Sequence, residues 1–146
     1  HRVPLLVKWP GEIEPGTCQE VISQTDFLAT FAEILGMDLP ENAGEDSLSF
    51  LPILQGKTFE KPIREAIIHN ASQGSFAIRE GKWKLILPPE HVDPAVSDAS
   101  RIGQLYNLET DIGERSNLWK NNPALVERLR KLLEKSRSEG KTRKAS

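Results

Sequence analysis

The chain is poor in cysteine: Cys18 is the only one in 146 residues. An internal disulfide is therefore excluded, and so is a zinc site built on several thiolates. Its neighbours Gly16, Thr17, Gln19 and Glu20 supply neither a base nor a positive field to lower the thiol pKa. Cys18 is accordingly read as a small, partly buried apolar residue rather than a nucleophile. An excess of one charge is also missing. Nineteen Lys and Arg against 21 Asp and Glu leave a formal net charge of −2, without the basic surplus of a general nucleic-acid binder. No apolar run approaches the ~20 residues that a membrane-spanning helix needs. No secretory leader heads the sequence, and His1 leads almost directly into the apolar stretch Val3 to Trp9, so the N-terminus is expected to be a cut end. What is present, 38% hydrophobic and 27% charged residues, is the composition of a globular domain.

Val3 to Trp9 is apolar nearly throughout, which predicts a strand buried on both faces of a sheet covered by helices. Pro10-Gly11 and Pro15-Gly16 are turns. Thr25 is an N-cap candidate, Asp26 suits the positive end of a helix dipole, and Leu28, Phe31, Ala32 and Leu35 fall on one helical stripe. The spacing predicts a helix over 25–35, ended by Gly36. Residues 37–47 are a polar loop, and Ser49 to Gln55 is a short helix with Pro52 in its first turn. A charged connector, Gly56 to Pro62, divides two parts of the chain, expected as 1–56 and 63–140.

Beyond it the periodicity changes. Ala66 to His69, Ser75 to Arg79, Lys82 to Leu87 and Leu105 to Leu108 predict four short strands of an antiparallel sheet, with a hairpin turn at Glu80-Gly81. Asn122 is an N-cap candidate with Pro123 in the first helical position. Leu125, Leu129, Leu132 and Leu133 form the apolar stripe of a closing helix that Gly140 ends. Residues 141–146 are expected to be a frayed basic tail. The class is α/β for the larger architecture and α+β for these residues.

Five segments, in order, carry a resemblance. His1-Arg2-Val3-Pro4 with Val7-Lys8-Trp9-Pro10-Gly11 is similar to the R-V-P…W-P-G run of formylglycine-dependent, arylsulfatase-like sulfatases. Thr25 to Thr30 resembles their T-D-L-x-P-T helix start, with Ala29 where proline is common. Ser47-Leu48 with Leu51 to Leu54 and Gly56 resembles S-L-L-P-L-L-x-G. Arg79 to Ile86 resembles R-x-G-x-W-K-L-I. Leu105 to Leu118 resembles L-Y-D-L-x-x-D-P-x-E-x-x-N-L, with Asn107 and Ile112 as departures. The resemblance implies the alkaline-phosphatase-like fold: the last strand and helices of a large α/β domain, then a four-stranded antiparallel sheet with a packed C-terminal helix. It implies hydrolysis of sulfate esters by a formylglycine made from Cys or Ser in a C/S-x-P-S-R motif, with calcium polarising the sulfate. It further implies export of such an enzyme, whether periplasmic, secreted or lysosome-like.

Neither formylglycine nor calcium can be placed on this sequence, because Cys18 is followed by Gln19 and Glu20 and no Asp pair precedes an apolar strand. The chain alone is therefore expected to be inactive. Its expected partners are the upstream catalytic part of the same enzyme and a sulfated small molecule or carbohydrate, with no nucleic acid and no membrane. Self-association through an exposed 1–35 region is a further expectation. The candidate substrate contacts are His91, in the loop after the third strand, where imidazole can donate to a sulfate oxygen, and His69 and Asn70, at the end of the first strand. Each has a plain alternative as a solvated loop or turn residue. Trp9, Trp83 and Trp119 are read as core rather than as sugar platforms. Two other readings stay open at this point: an independent sugar- or protein-binding module, and the tail of a related phosphodiesterase or phosphonate hydrolase.

Overall fold

In the computed structural model the described residues are 3–70, 74–88 and 102–143. The chain divides into two compact units, residues 1–63 with 143–146, and residues 64–142.

The first unit is built on two helices, α1 (Asp26–Ile34) and α2 (Leu51–Leu54). α1 ends where the sequence predicts. The Gly36 N–H bonds the Glu33 carbonyl and the Met37 N–H that of Ala32, the paired closure of a helix whose next residue, Gly36 (φ +64°), turns left-handed. Its start is made differently. Thr25 forms no side-chain cap. Ser47, 22 residues beyond Thr25, ties the first turn instead: its hydroxyl accepts from the Ala29 N–H (2.8 Å) and donates to the Thr25 carbonyl (2.7 Å). Asp26 is fully buried and accepts from the Ser23 N–H (2.7 Å) and the Leu48 N–H (2.9 Å). Thr30, also buried, donates to the Asp26 carbonyl and accepts from the Phe50 N–H (3.1 Å). Three polar side chains thus fasten the 47–50 segment to α1, beside the Phe27–Phe50 edge-to-face pair (5.4 Å).

The strand expected over Val3 to Trp9 is not formed. A strand exists only through its ladder partners, and this extended segment has none among the described residues, so Val3 and Leu6 stay exposed (66% and 92%). Cys18, expected to be partly buried, is exposed.

The second unit is a four-stranded antiparallel meander in the order β1 (Ile67–Asn70), β2 (Phe76–Glu80), β3 (Trp83–Ile86), β4 (Gln104–Asn107). Register follows side-chain parity. Ile68, Ile78, Leu85 and Leu105 stand opposite one another across the sheet and share one face. Ile78, Leu85 and Leu105 are fully buried with Leu129 and Leu133 of helix α3 (Pro123–Glu139). Val126, Leu129 and Leu133 are the inner stripe of α3, while Leu125 and Leu132, predicted for that stripe, flank it half-buried. Trp83 and Trp119 pack on this core, as expected. Arg128 of α3 grips Glu80 at the β2 end with both guanidinium nitrogens, one at 2.7 Å, and Arg137 lies 4.1 Å above the Phe76 ring.

A 3₁₀ turn (Trp119–Asn121) precedes α3. Asn117 fixes it: its carbonyl oxygen accepts from the Leu105 and Trp119 N–H groups, and its amide donates to the Gly103 carbonyl. The Trp119 indole then lies flat against Gly103, where a Cβ would come within 2.1 Å of the ring.

Candidate functional site

Alternation along a strand decides which residues can meet. His69 pairs with Ala77 and Asn70 with Phe76, so His69 faces away from α3 and Asn70 lies on the α3 side. The two neighbours singled out in the sequence therefore stand on opposite faces and do not converge on one flat surface. Asn70 is exposed. His91 lies outside the described residues.

The surface that carries His69 was not legible beforehand. Register places Ile67, Arg79, Lys84 and Tyr106 in one row across the sheet, with His69, Ala77, Ile86 and Gln104 in the next. Lys84 is nearly buried (12% exposed) and reaches the Glu114 carboxylate at 2.6 Å. Glu114 is delivered by a wound loop: Asp111 accepts from the Arg115 and Ser116 N–H groups (2.8 Å each), and Glu114 itself has φ +53°, a left-handed backbone uncommon in a side-chain-bearing residue. Arg79 donates from Nε to the Gly81 carbonyl (2.9 Å), and the Tyr106 hydroxyl donates to Gln104 Oε1 (2.9 Å).

The electrostatics of this face are consistent with its composition. Burial, then the positive charges of Lys84 and Arg79, push His69 below the usual histidine range, with Glu114 pulling the other way. Burial, then the nearby Glu114 carboxylate, pushes the Tyr106 phenol up. At neutral pH His69 is thus held in the neutral form, with one N–H donor and one acceptor nitrogen, suited to a hydroxyl or to an anionic oxygen. The parity rule could have separated His69 from Asn70. Nothing in the sequence pairs Lys84 with Glu114, thirty residues apart.

The described residues do not fit a catalytic metal or a formylglycine. Among the described residues no three His, Cys, Asp or Glu side chains gather as metal ligands. Cys18 stands in a Cys-Gln-Glu context. No helix among the described residues is long and apolar enough to cross a membrane.

A family model described as the C-terminal part of N-sulphoglucosamine sulphohydrolase matches residues 1–139. The N-acetylgalactosamine-6-O-sulfatase of Bacteroides thetaiotaomicron is 36% identical over 140 residues, covering 91% of this chain and 27% of that protein. Arylsulfatase A of Homo sapiens is 34% identical over 134 residues, covering 80% and 26%. A solved structure from work on glycosaminoglycan metabolism by Bacteroides thetaiotaomicron superposes with a TM-score of 0.75 at 34% identity, covering 89% of this chain and 28% of that one. The chain thus spans about a quarter of the length of the relatives it matches. The sequence segments, the meander closed by α3 and these likenesses agree, and the chain belongs to the family formed by the C-terminal region of sulfatases, the hydrolases of sulfuric esters.

Proposed function

We propose that this chain is the C-terminal part of an enzyme that hydrolyses the sulfate ester of a sugar. The reacting groups, formylglycine and calcium, belong to the upstream part, and this chain completes the fold and lines the outer substrate pocket. The observation that carries the reading is the 36% identity to an N-acetylgalactosamine-6-O-sulfatase over 91% of the chain. The division of labour is supported by the surface of the first unit. Among the described residues, nine of the twelve large exposed hydrophobic residues lie between Val3 and Met37, among them Leu28 and Phe31 on α1 and Leu35 at its end. A patch of that kind calls for a covering partner. The upstream part of the enzyme covers it, and the isolated chain self-associates through 1–35. His69 contacts the substrate as a neutral imidazole from the sheet face and Asn70 contacts it from the end of β1, with His91 as a further proposed contact.

The test is an assay of the complete reading frame, carrying C/S-x-P-S-R upstream of His1, beside the isolated chain. A 6-sulfated N-acetylhexosamine and an aryl sulfate serve as substrates. The complete enzyme releases sulfate and the isolated chain does not. Sulfate release by the isolated chain with added calcium would overturn the division of labour, and an upstream phosphodiesterase-type nucleophile in place of C/S-x-P-S-R would overturn the reaction class.

A further inference from the structure

The loop 40–45 has little backbone structure of its own. One turn is closed by the Ala43 N–H on the Pro40 carbonyl and the next by the Ser47 N–H on the Gly44 carbonyl. Three of its carbonyls are held by one residue about a hundred positions further along the chain. Arg143 Nη2 donates to the Pro40 carbonyl (2.7 Å) and to the Ala43 carbonyl (2.9 Å), and the Arg143 backbone N–H donates to the Glu45 carbonyl (2.8 Å). Residues 141–143 were expected to open a frayed tail, and Arg143 is instead half-buried. The loop it grips runs directly into Ser47, whose hydroxyl closes the start of α1. Inside the loop a side chain at Gly44 would press on Ser47, Leu28 and Leu39, so the loop already sits tight against its neighbours.

We propose that Arg143 is a latch: it holds the loop 40–45 closed and thereby keeps Ser47 seated on α1. Chemically the occupant suits the place. A planar guanidinium carries several donors in a fixed fork and serves two carbonyls at once, whereas an ammonium on a flexible stem loses more freedom for each bond it makes. The latch is independent of the reading as a sulfatase, since it concerns how one loop is closed and not what the enzyme cleaves.

Hydrogen exchange followed by mass spectrometry on the complete protein tests it, comparing the native sequence with Arg143→Ala and Arg143→Lys. In the alanine variant the amides of 41–48 exchange about tenfold faster, as expected when charge-assisted bonds to a surface loop are lost. The lysine variant falls between, and the amides of α3 exchange as before in both. Unchanged exchange over 41–48 in Arg143→Ala would overturn the latch. So would an acceleration shared equally by α3, or full protection in Arg143→Lys.

Discussion

Gly103→Ala tests the contact between Gly103 and the Trp119 ring. Gly103 is buried, and an added Cβ would sit 2.1 to 2.5 Å from three atoms of the Trp119 ring. The backbone cannot retreat easily, because the Gly103 carbonyl is held by Asn117 and the next residue opens β4. The indole must therefore leave. A tryptophan buries roughly 150–250 Å², and Trp119 is already half-exposed, so about 100 Å² returns to water. At about 25 cal/mol per Å² that is roughly 2–3 kcal/mol, within the ~1–3 kcal/mol usual for overpacked sites. For a unit of this size the loss corresponds to a fall in Tm of about 8–20 °C. The assay is thermal unfolding followed by tryptophan emission, which shifts to the red as the ring meets water. The decisive arm is the double variant. With Trp119→Ala already in place, Gly103→Ala costs less than about 0.5 kcal/mol, so the two changes couple by roughly 2 kcal/mol. Equal cost of Gly103→Ala in both backgrounds would refute the steric argument.

The Arg128 guanidinium holds the Glu80 carboxyl below the usual glutamate range. A carboxylate depressed on folding stabilises above its unfolded pKa, and that contribution disappears as pH falls below about 4 through the folded value. Arg128→Met removes about 0.5–1 kcal/mol at pH 7 and less at pH 3, measured by urea unfolding, Arg128 being half-exposed; an equal loss at both pH values would contradict the pairing. For His69 the depressed pKa means that the unfolded chain takes up its proton first, so stability falls as pH drops below about 6.5. Its NMR titration midpoint lies below that value and rises in Lys84→Met, and a midpoint at or above 6.5 in the native protein would contradict the environment described. Asp26→Ala leaves two N–H donors without their acceptor and costs about 3–5 kcal/mol; exchange rates of the 47–50 amides matching the native protein would speak against that network. In the complete enzyme, His69→Ala raises KM for the sulfated sugar several-fold with kcat little changed, and an unchanged KM would remove His69 from the pocket.

How much was legible depended on how local the determining physics is. Helices 26–34 and 123–139 are written in stripes and terminal residues, and the β2–β3 hairpin in Glu80-Gly81, so each was placed within a residue or two. The apolar content of Val3 to Trp9 predicts a strand, but a strand is a relation between segments, and none of the described residues pairs with it. Thr25 reads as a cap because that choice is usually made by the preceding side chain, whereas Ser47 makes it from 22 residues away. The His69 face was missed for the same reason: Lys84 and Glu114 meet only after a hairpin and a wound loop have brought them together. His69 and Asn70 adjoin in the sequence, yet strand alternation sets them on opposite faces of the sheet.

The meander has a consequence for synthesis. Every strand neighbours the one made just before it, so pairing can run in step with the emerging chain and the search for partners stays short. The apolar side of that sheet, with Ile78, Leu85 and Leu105, remains wet until α3 leaves the ribosome. A premature stop anywhere before Leu133 therefore leaves paired strands with no lid, a species that quality-control proteases and aggregation remove, so nonsense changes within α3 abolish the fold rather than trim it.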